Sequence, residues 1–216
     1  PNLDALAASG VFFRNAYVSP VCSPTRAAAQ TGRYSLRNGI GDPVQPWDIV
    51  TLDGSEVTIP EMIRAGTGGA YASAAFGKWH MHSDLVGNLV APLLSGFDHF
   101  AGTLYNLDMN GSIGYFNWKK IVDGVESNST TYATSDTVNE ALAWIGSTPE
   151  PWFAYLAFNA PHHPYEVPPP ELYTVATTGG DPINNPAPYY RAMVEAIDTE
   201  LGRLFADIDP AVFSRT

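Results

Sequence analysis

One cysteine in 216 residues, Cys22, leaves no material for an intrachain disulfide or for a zinc site built on several thiolates. That residue is therefore either a small buried hydrophobe or a chemical centre. Basic residues are scarce as well. Only 11 Lys and Arg stand against 22 Asp and Glu, a formal charge of -11, and scattered cations do not neutralise a nucleic-acid backbone. The total does not exclude a small anionic substrate, which responds to a local cationic pocket more than to distant, salt-screened carboxylates. No apolar run approaches the roughly 20 residues of a membrane span. The chain opens with Pro1 in place of a start Met and a basic signal segment, so the natural N-terminus is expected to be absent. Charged residues make up only 15%, against 45% hydrophobic and 12% aromatic, which excludes a disordered chain and calls for one packed core.

Leu3, Leu6 and Ala7 before Gly10 predict the end of a helix. The next stretch, Val11 to Val18, is aromatic and β-branched and is expected to be a buried strand, broken by Ser19-Pro20. Pro24 suits a first helical turn, Ala27 to Gln30 propagate it and Gly32 ends it, which sets Cys22 at a helix N-terminus. Asn38 to Gly54 reads as loop, Thr58 to Glu61 as a capping box opening a helix to Gly66, and Tyr71 to Phe76 as a strand. Weak periodicity from Gly87 to Thr131 gives only loops and short strands. Ser135 or Asp136 is expected to cap a helix through Trp144, followed by the apolar strand Trp152 to Phe158 and a Pro-rich loop. Tyr190, Met193, Ile197, Leu201 and Leu204 mark one face of a long helix ending before Pro210. The alternation predicts an α/β sandwich with a mostly parallel central sheet, in which ligands sit at the C-terminal ends of strands.

Three clusters carry chemistry. Cys22-Ser23-Pro24-Thr25-Arg26 is continued by Thr31-Gly32-Arg33. A helix N-terminus offers free N–H groups and positive dipole, and Arg26 on the next turn adds a cation, so an anionic ester is held there. The same surroundings activate a thiol, and a cysteine nucleophile stays open. Gly77-Lys78-Trp79-His80 follows a predicted strand; read alone, such a triplet is more often a solvated Lys and a hydrogen-bonded His than a site. Ala160-Pro161-His162-His163-Pro164 follows another strand; by itself it is a Pro-rich loop or half of a metal site, and adjacent His side chains are expected to diverge. His82 reads as a surface residue and His163 is not selected.

The first cluster matches C-x-P-x-R-x-x-x-x-T-G-R, a pattern of six fixed residues whose chance occurrence is on the order of 10⁻⁸ per start. With the other two clusters it resembles the type I sulfatases, the formylglycine-dependent arylsulfatase family of the alkaline-phosphatase-like superfamily. The resemblance implies an alkaline-phosphatase-like sandwich, incomplete here, with residues 1–216 as part of a single sulfatase catalytic domain truncated at both ends. It implies a sulfuric ester hydrolase in which Cys22, oxidised to formylglycine by a formylglycine-generating enzyme, attacks sulfur as a hydrated aldehyde, forms a covalent sulfate and releases it through the second hydroxyl. It assigns catalytic roles to Cys22, Arg26, Lys78, His80 and His162: Lys78 binds sulfate oxygens, His80 is the base for sulfate elimination, and His162 serves the leaving side. Arg33 and its neighbours serve recognition during maturation, or only a helix cap. The family's cation, Ca²⁺, is implied to meet formylglycine at Cys22, with Asp and Asn ligands outside this chain, so the isolated fragment is expected to be inactive. Sulfate-ester small molecules or sulfated glycans are the implied substrates, and an exported location the implied compartment. A phosphonate or phosphodiester hydrolase of the same superfamily, a silent anion-binding fragment and a thiol hydrolase are the alternatives.

Overall fold

A computed structural model describes residues 1–86, 88–177 and 181–216. Gly87, the first residue of the stretch read as loops and short strands, lies outside them. In chain order the elements are α1 (Asn2–Ser9), α2 (Cys22–Thr31), α3 (Ser35–Asn38), α4 (Ile59–Thr67), β1 (Ala72–Lys78), α5 (Ala91–Leu94), β2 (His99–Thr103), β3 (Trp118–Val122), β4 (Val125–Ser129), α6 (Ala133–Ser147), β5 (Trp152–Ala157), α7 (Ala187–Asp207) and α8 (Pro210–Phe213). The five strands form one sheet in the order β4-β3-β2-β1-β5. β1 lies parallel to both β2 and β5, while β3 and β4 add an antiparallel hairpin at one edge.

Alternation along the strands divides the core. Ala74, Phe76 and Ala101 face Val138 and Ala141 of α6 and Leu204 of α7. Ala75, Phe100 and Ile121 face the other way, towards Ala27 of α2, Ala91 of α5 and the loop residues Ile40 and Val44. Helices therefore cover both sheet faces, as a sheet apolar on both sides requires. Close approach sets one residue type: a Cβ on Gly102 of β2 would lie 1.9 Å from the carbonyl oxygen of Gly77 in β1.

The Thr58 capping box is present, with Glu61 accepting from the Thr58 amide at 2.8 Å. Helix α6 begins earlier than expected, at Ala133, because Ser135 and Asp136 spend their side chains on Glu200 and Lys120 instead of a cap. The strand expected at Val11 to Val18 is not formed. This segment has no regular structure, and Phe12, Phe13 and Tyr17 are 70%, 75% and 93% exposed, because no strand of the sheet runs beside it to pair its backbone.

Candidate active site

Because β1, β2 and β5 are parallel, their C-terminal ends open on the same side. Lys78, Trp79 and His80 leave β1 there, Asn106 and Asp108 follow β2, and Asn159 to His163 follow β5. Helix α2 brings its first turn to this edge. The Arg26 guanidinium donates to the carbonyl of Lys78 and, at 3.2 Å, to that of Phe158, tying the helix to the ends of β1 and β5. Burial lowers the Arg26 pKa, opposed by nearby Tyr155 and Cys22; a guanidinium remains a cation regardless.

Cys22 Sγ lies 3.2 Å from His80 Nδ1. The other ring nitrogen of His80 is 2.9 Å from the Val44 carbonyl, which can only accept, so Nε2 carries the hydrogen and Nδ1 is left to accept. His80 is fully buried, and burial first, then the Lys78 and Arg26 charges, push its pKa down to about 3. A neutral imidazole thus aims its basic nitrogen at position 22. The Val44 loop that fixes the tautomer is itself pinned, its amide donating to Ser23 Oγ of α2 at 3.0 Å. His80 adopts a left-handed φ of 57°, held by its amide bonding to Leu104 at 2.9 Å, a strained backbone of the kind found at functional positions.

Lys78 is buried with its ammonium on the Asn106 side-chain oxygen. Burial and the Arg26 charge lower its pKa to about 8, against the opposing pull of Cys22 and Asp108. Two cations and a neutral base therefore surround position 22, an arrangement that holds an anion and removes a proton beside it.

His162 stands after the β5 end. Its Nδ1 bonds to the His163 carbonyl at 2.7 Å, so that nitrogen is a donor and Nε2 is the atom free for proton transfer. Burial lowers its pKa, helped by Lys78 and His163 and opposed by that same backbone bond and Asp108. The two histidines do not diverge as expected. Their rings lie 4.2 Å apart, because His163 Nε2 is drawn to Asp108 at 2.8 Å. His82 is not a surface residue either: it is buried, it stacks on Trp79 three residues earlier and its Nδ1 accepts from the indole N–H at 3.0 Å. Arg33 forms a 2.6 Å ion pair with the buried Glu56, fastening the end of α2 to the following loop.

Asn106, Asp108 and Tyr115 belong to this site and escaped the sequence reading. Tyr115, fully buried, donates its hydroxyl to the His162 carbonyl at 2.8 Å. The polar residues just past the aromatic strand β2 were the available signal for the first two. For Tyr115 there was none, since its partner lies 47 residues away.

The residues around Cys22 do not make a calcium site by themselves. Among the described residues no group of three or more His, Cys, Asp or Glu side chains is placed to hold a metal, and the immediate neighbours of Cys22 are cations and an imidazole, whereas Ca²⁺ takes 6–8 oxygen ligands.

The family model for sulfatases matches residues 1–213. The chain belongs to the sulfatase family. It is 31% identical over 187 residues to arylsulfatase J of Mus musculus, covering 78% of this chain and 29% of that protein. With the N-acetylgalactosamine-6-sulfatase of Homo sapiens the identity is 32% over 199 residues, covering 81% and 37%. Among solved structures, Ps i-CgsB superposes with a TM-score of 0.75 at 27% identity, covering 96% of this chain and 49% of that one. BT4656 in complex with its substrate D-glucosamine-2-N,6-O-disulfate gives 0.62 at 27% identity, covering 80% and 31%. The sandwich is thus the alkaline-phosphatase-like fold of the sulfatases, and this sulfatase chain spans about half the length of Ps i-CgsB and about a third that of BT4656 and of the two curated relatives. The family generally uses formylglycine and Ca²⁺. Among the described residues no helix is long and apolar enough to cross a membrane.

Proposed function

We propose that residues 1–216 are the nucleophile-bearing part of a single catalytic domain that hydrolyses sulfate monoesters, with a sulfated glycan or small sulfate ester as substrate. The observation that carries this reading is Cys22 Sγ at 3.2 Å from the basic nitrogen of a neutral His80, beside Lys78 and Arg26. Similarity to proteins that act on sulfated sugars supports the substrate class. Position 22 suits the formylglycine that a maturation enzyme makes from cysteine in this family. Once hydrated, that group supplies one hydroxyl to attack sulfur and a second through which sulfate is released.

The chain's own residues do the rest. The Lys78 ammonium balances the sulfate charge, and a bound anion raises the pKa of Lys78 and keeps it protonated. His80 Nδ1 accepts a proton from the hydroxyl at position 22 while Nε2–H stays on Val44. His162, with Nδ1–H fixed on the His163 carbonyl, hands a proton from Nε2 to the departing oxygen, and the bound sulfate offsets the depression of its pKa. Arg26 fixes the position of the nucleophile turn through its two carbonyl bonds. Among the described residues, those around Cys22 provide no ligand set for calcium by themselves. An exported location fits this reading.

The 3.2 Å thiol–imidazole contact supports a second reading, a cysteine hydrolase with no need of the modification. Aryl sulfate, aryl phosphate and aryl ester are assayed with the complete protein, matured in a cell containing the formylglycine-generating enzyme, and the Cys22 peptide is weighed. The proposal expects a converted Cys22, sulfate hydrolysis insensitive to iodoacetamide and loss of turnover in Cys22→Ala. Sulfate hydrolysis that survives Cys22→Ala would sink it, and ester hydrolysis blocked by iodoacetamide would favour the thiol.

A further inference from the structure

Two consecutive residues of α2 make separate contacts to the site. Cys22 Sγ lies 3.2 Å from His80 Nδ1, and Ser23 Oγ accepts from the Val44 amide at 3.0 Å. Neighbouring side chains on a helix diverge by about 100°, so one turn reaches the strand end with the first and the loop after α3 with the second. The Val44 carbonyl in turn is 2.9 Å from His80 Nε2 and takes its hydrogen. These contacts close a ring, from Cys22 to His80, to Val44, to Ser23 and back to Cys22 through one peptide bond.

Every member beyond Cys22 is out of water. Ser23 and His80 are fully buried and Val44 is 1% exposed, so a hydrogen bond lost here has no solvent to replace it. Val44 belongs to no helix or strand. Farther along its loop the Pro46 carbonyl accepts from the Asp84 amide at 3.0 Å and the Gln45 amide donates to Asp48 at 2.7 Å. Those bonds fasten the loop to itself and to the stretch after β1. The Ser23 hydroxyl fastens it to the helix that bears the nucleophile. Because the amide and carbonyl of Val44 flank one Cα with two soft dihedrals between them, holding the first limits where the second points.

We propose that Ser23 is a positioning residue for His80: by holding the Val44 amide it aims the Val44 carbonyl at Nε2, and so keeps the Nδ1 lone pair on position 22. Nucleophile and base are then set from a single helical turn. The inference rests on the reading of position 22 as the nucleophile and His80 as its base, and it adds a role for a residue that touches neither the ester nor the imidazole.

The complete protein is used, matured as above. Rates are scaled to the fraction of Cys22 converted, read from the mass of its peptide, since Ser23 lies inside the same motif. Wild type is labelled with nitrogen-isotope histidine, and the His80 signals are identified by their loss in His80→Gln. They are expected to show hydrogen on Nε2, a bare Nδ1, and an Nε2–H that exchanges slowly with water. Loss of one buried hydrogen bond in Ser23→Ala is expected to speed that exchange and to lower kcat for 4-nitrophenyl sulfate, each about tenfold, with KM held within about twofold. Ser23→Thr keeps the oxygen and is expected to stay within about threefold of wild type in both. Ser73→Ala controls for stability alone: it removes a buried hydroxyl bonded to Asp98 at 2.9 Å near the start of β1, and should leave kcat and the His80 exchange unchanged. Hydrogen on Nδ1 in wild type overturns the proposal, whether or not Ser23→Ala folds. So does a folded Ser23→Ala with wild-type exchange and kcat, or an equal fall in Ser23→Thr or Ser73→Ala. Failure of wild type to cleave any sulfate ester would instead defeat the functional reading, while the histidine signals still decide whether Ser23 sets the ring.

Discussion

His82 ties stability to pH in a way that can be isolated. Its imidazole is buried against Trp79, accepts at Nδ1 from the indole, and burial pushes its pKa down to about 4, below the ordinary 6.5 that it regains in the unfolded chain. A group depressed on folding contributes stability that is full above its unfolded pKa and is lost as pH falls towards the folded one. Between pH 7 and pH 5 the unfolded chain takes up most of a proton at His82 and the native protein almost none, a loss of about 2 kcal/mol. His80, at about 3, behaves alike and adds about as much. Both lie within a net stability of roughly 5–15 kcal/mol, so the effect is large. The assay is urea unfolding at pH 7 and pH 5 for wild type and His82→Gln, whose amide oxygen still accepts from Trp79. Carboxylates contribute equally to both proteins and cancel in the comparison. The variant is expected to lose about 2 kcal/mol less than wild type over that interval. Equal losses would refute the assignment of a neutral, proton-refusing His82, and with it the burial argument also used for His80.

Three further outcomes are expected. Lys78 is depressed to about 8, so on its proposed role of holding sulfate the free enzyme loses that cation above this pH: KM for a sulfate ester should climb towards tenfold per pH unit beyond about 8 in wild type and stay level, at a raised value, in Lys78→Met. Tyr115→Phe removes the donor to the His162 carbonyl; unfolding should show a loss of about 1 kcal/mol, and, with His162 in its proposed role of proton donor, kcat should fall more for an alkyl sulfate, whose leaving group needs a proton, than for 4-nitrophenyl sulfate. Gly102→Ala drives a methyl against the Gly77 backbone, which cannot yield without parting β1 from β2, so urea melts should show a loss of more than about 3 kcal/mol; a near-neutral result would contradict the strand spacing.

Local signals were legible where the chemistry that makes them is local. The capping box at Thr58, the Pro24 start and Gly32 end of α2, and the apolar run of β5 each involve residues a few positions apart, and each element stands where it was expected. The Val11 to Val18 segment shows the opposite case. Its β-branched and aromatic residues state a preference for a strand, but a strand needs a partner's N–H and C=O groups, and none in this sheet is offered to it. His82 was misread for a related reason: its partner Trp79 is close in sequence, but what removes the pair from water is a core that gathers Trp79 with residues as distant as Leu52 and Phe97.

The sequence by itself determined the family, through the fixed spacing from Cys22 to Arg33, and it determined which side chains are capable of the chemistry. Spacing along a helix is a covalent fact, and it needs no fold to be read. Only the tertiary structure decided what those side chains are. The Val44 carbonyl selects the His80 tautomer, burial between strand ends keeps that ring neutral, and Asn106 and Asp108 reach Lys78 and His163 because parallel strands finish side by side. Those are effects of distance and of water excluded by packing, and residues far apart in the chain acquire them only when the sheet closes.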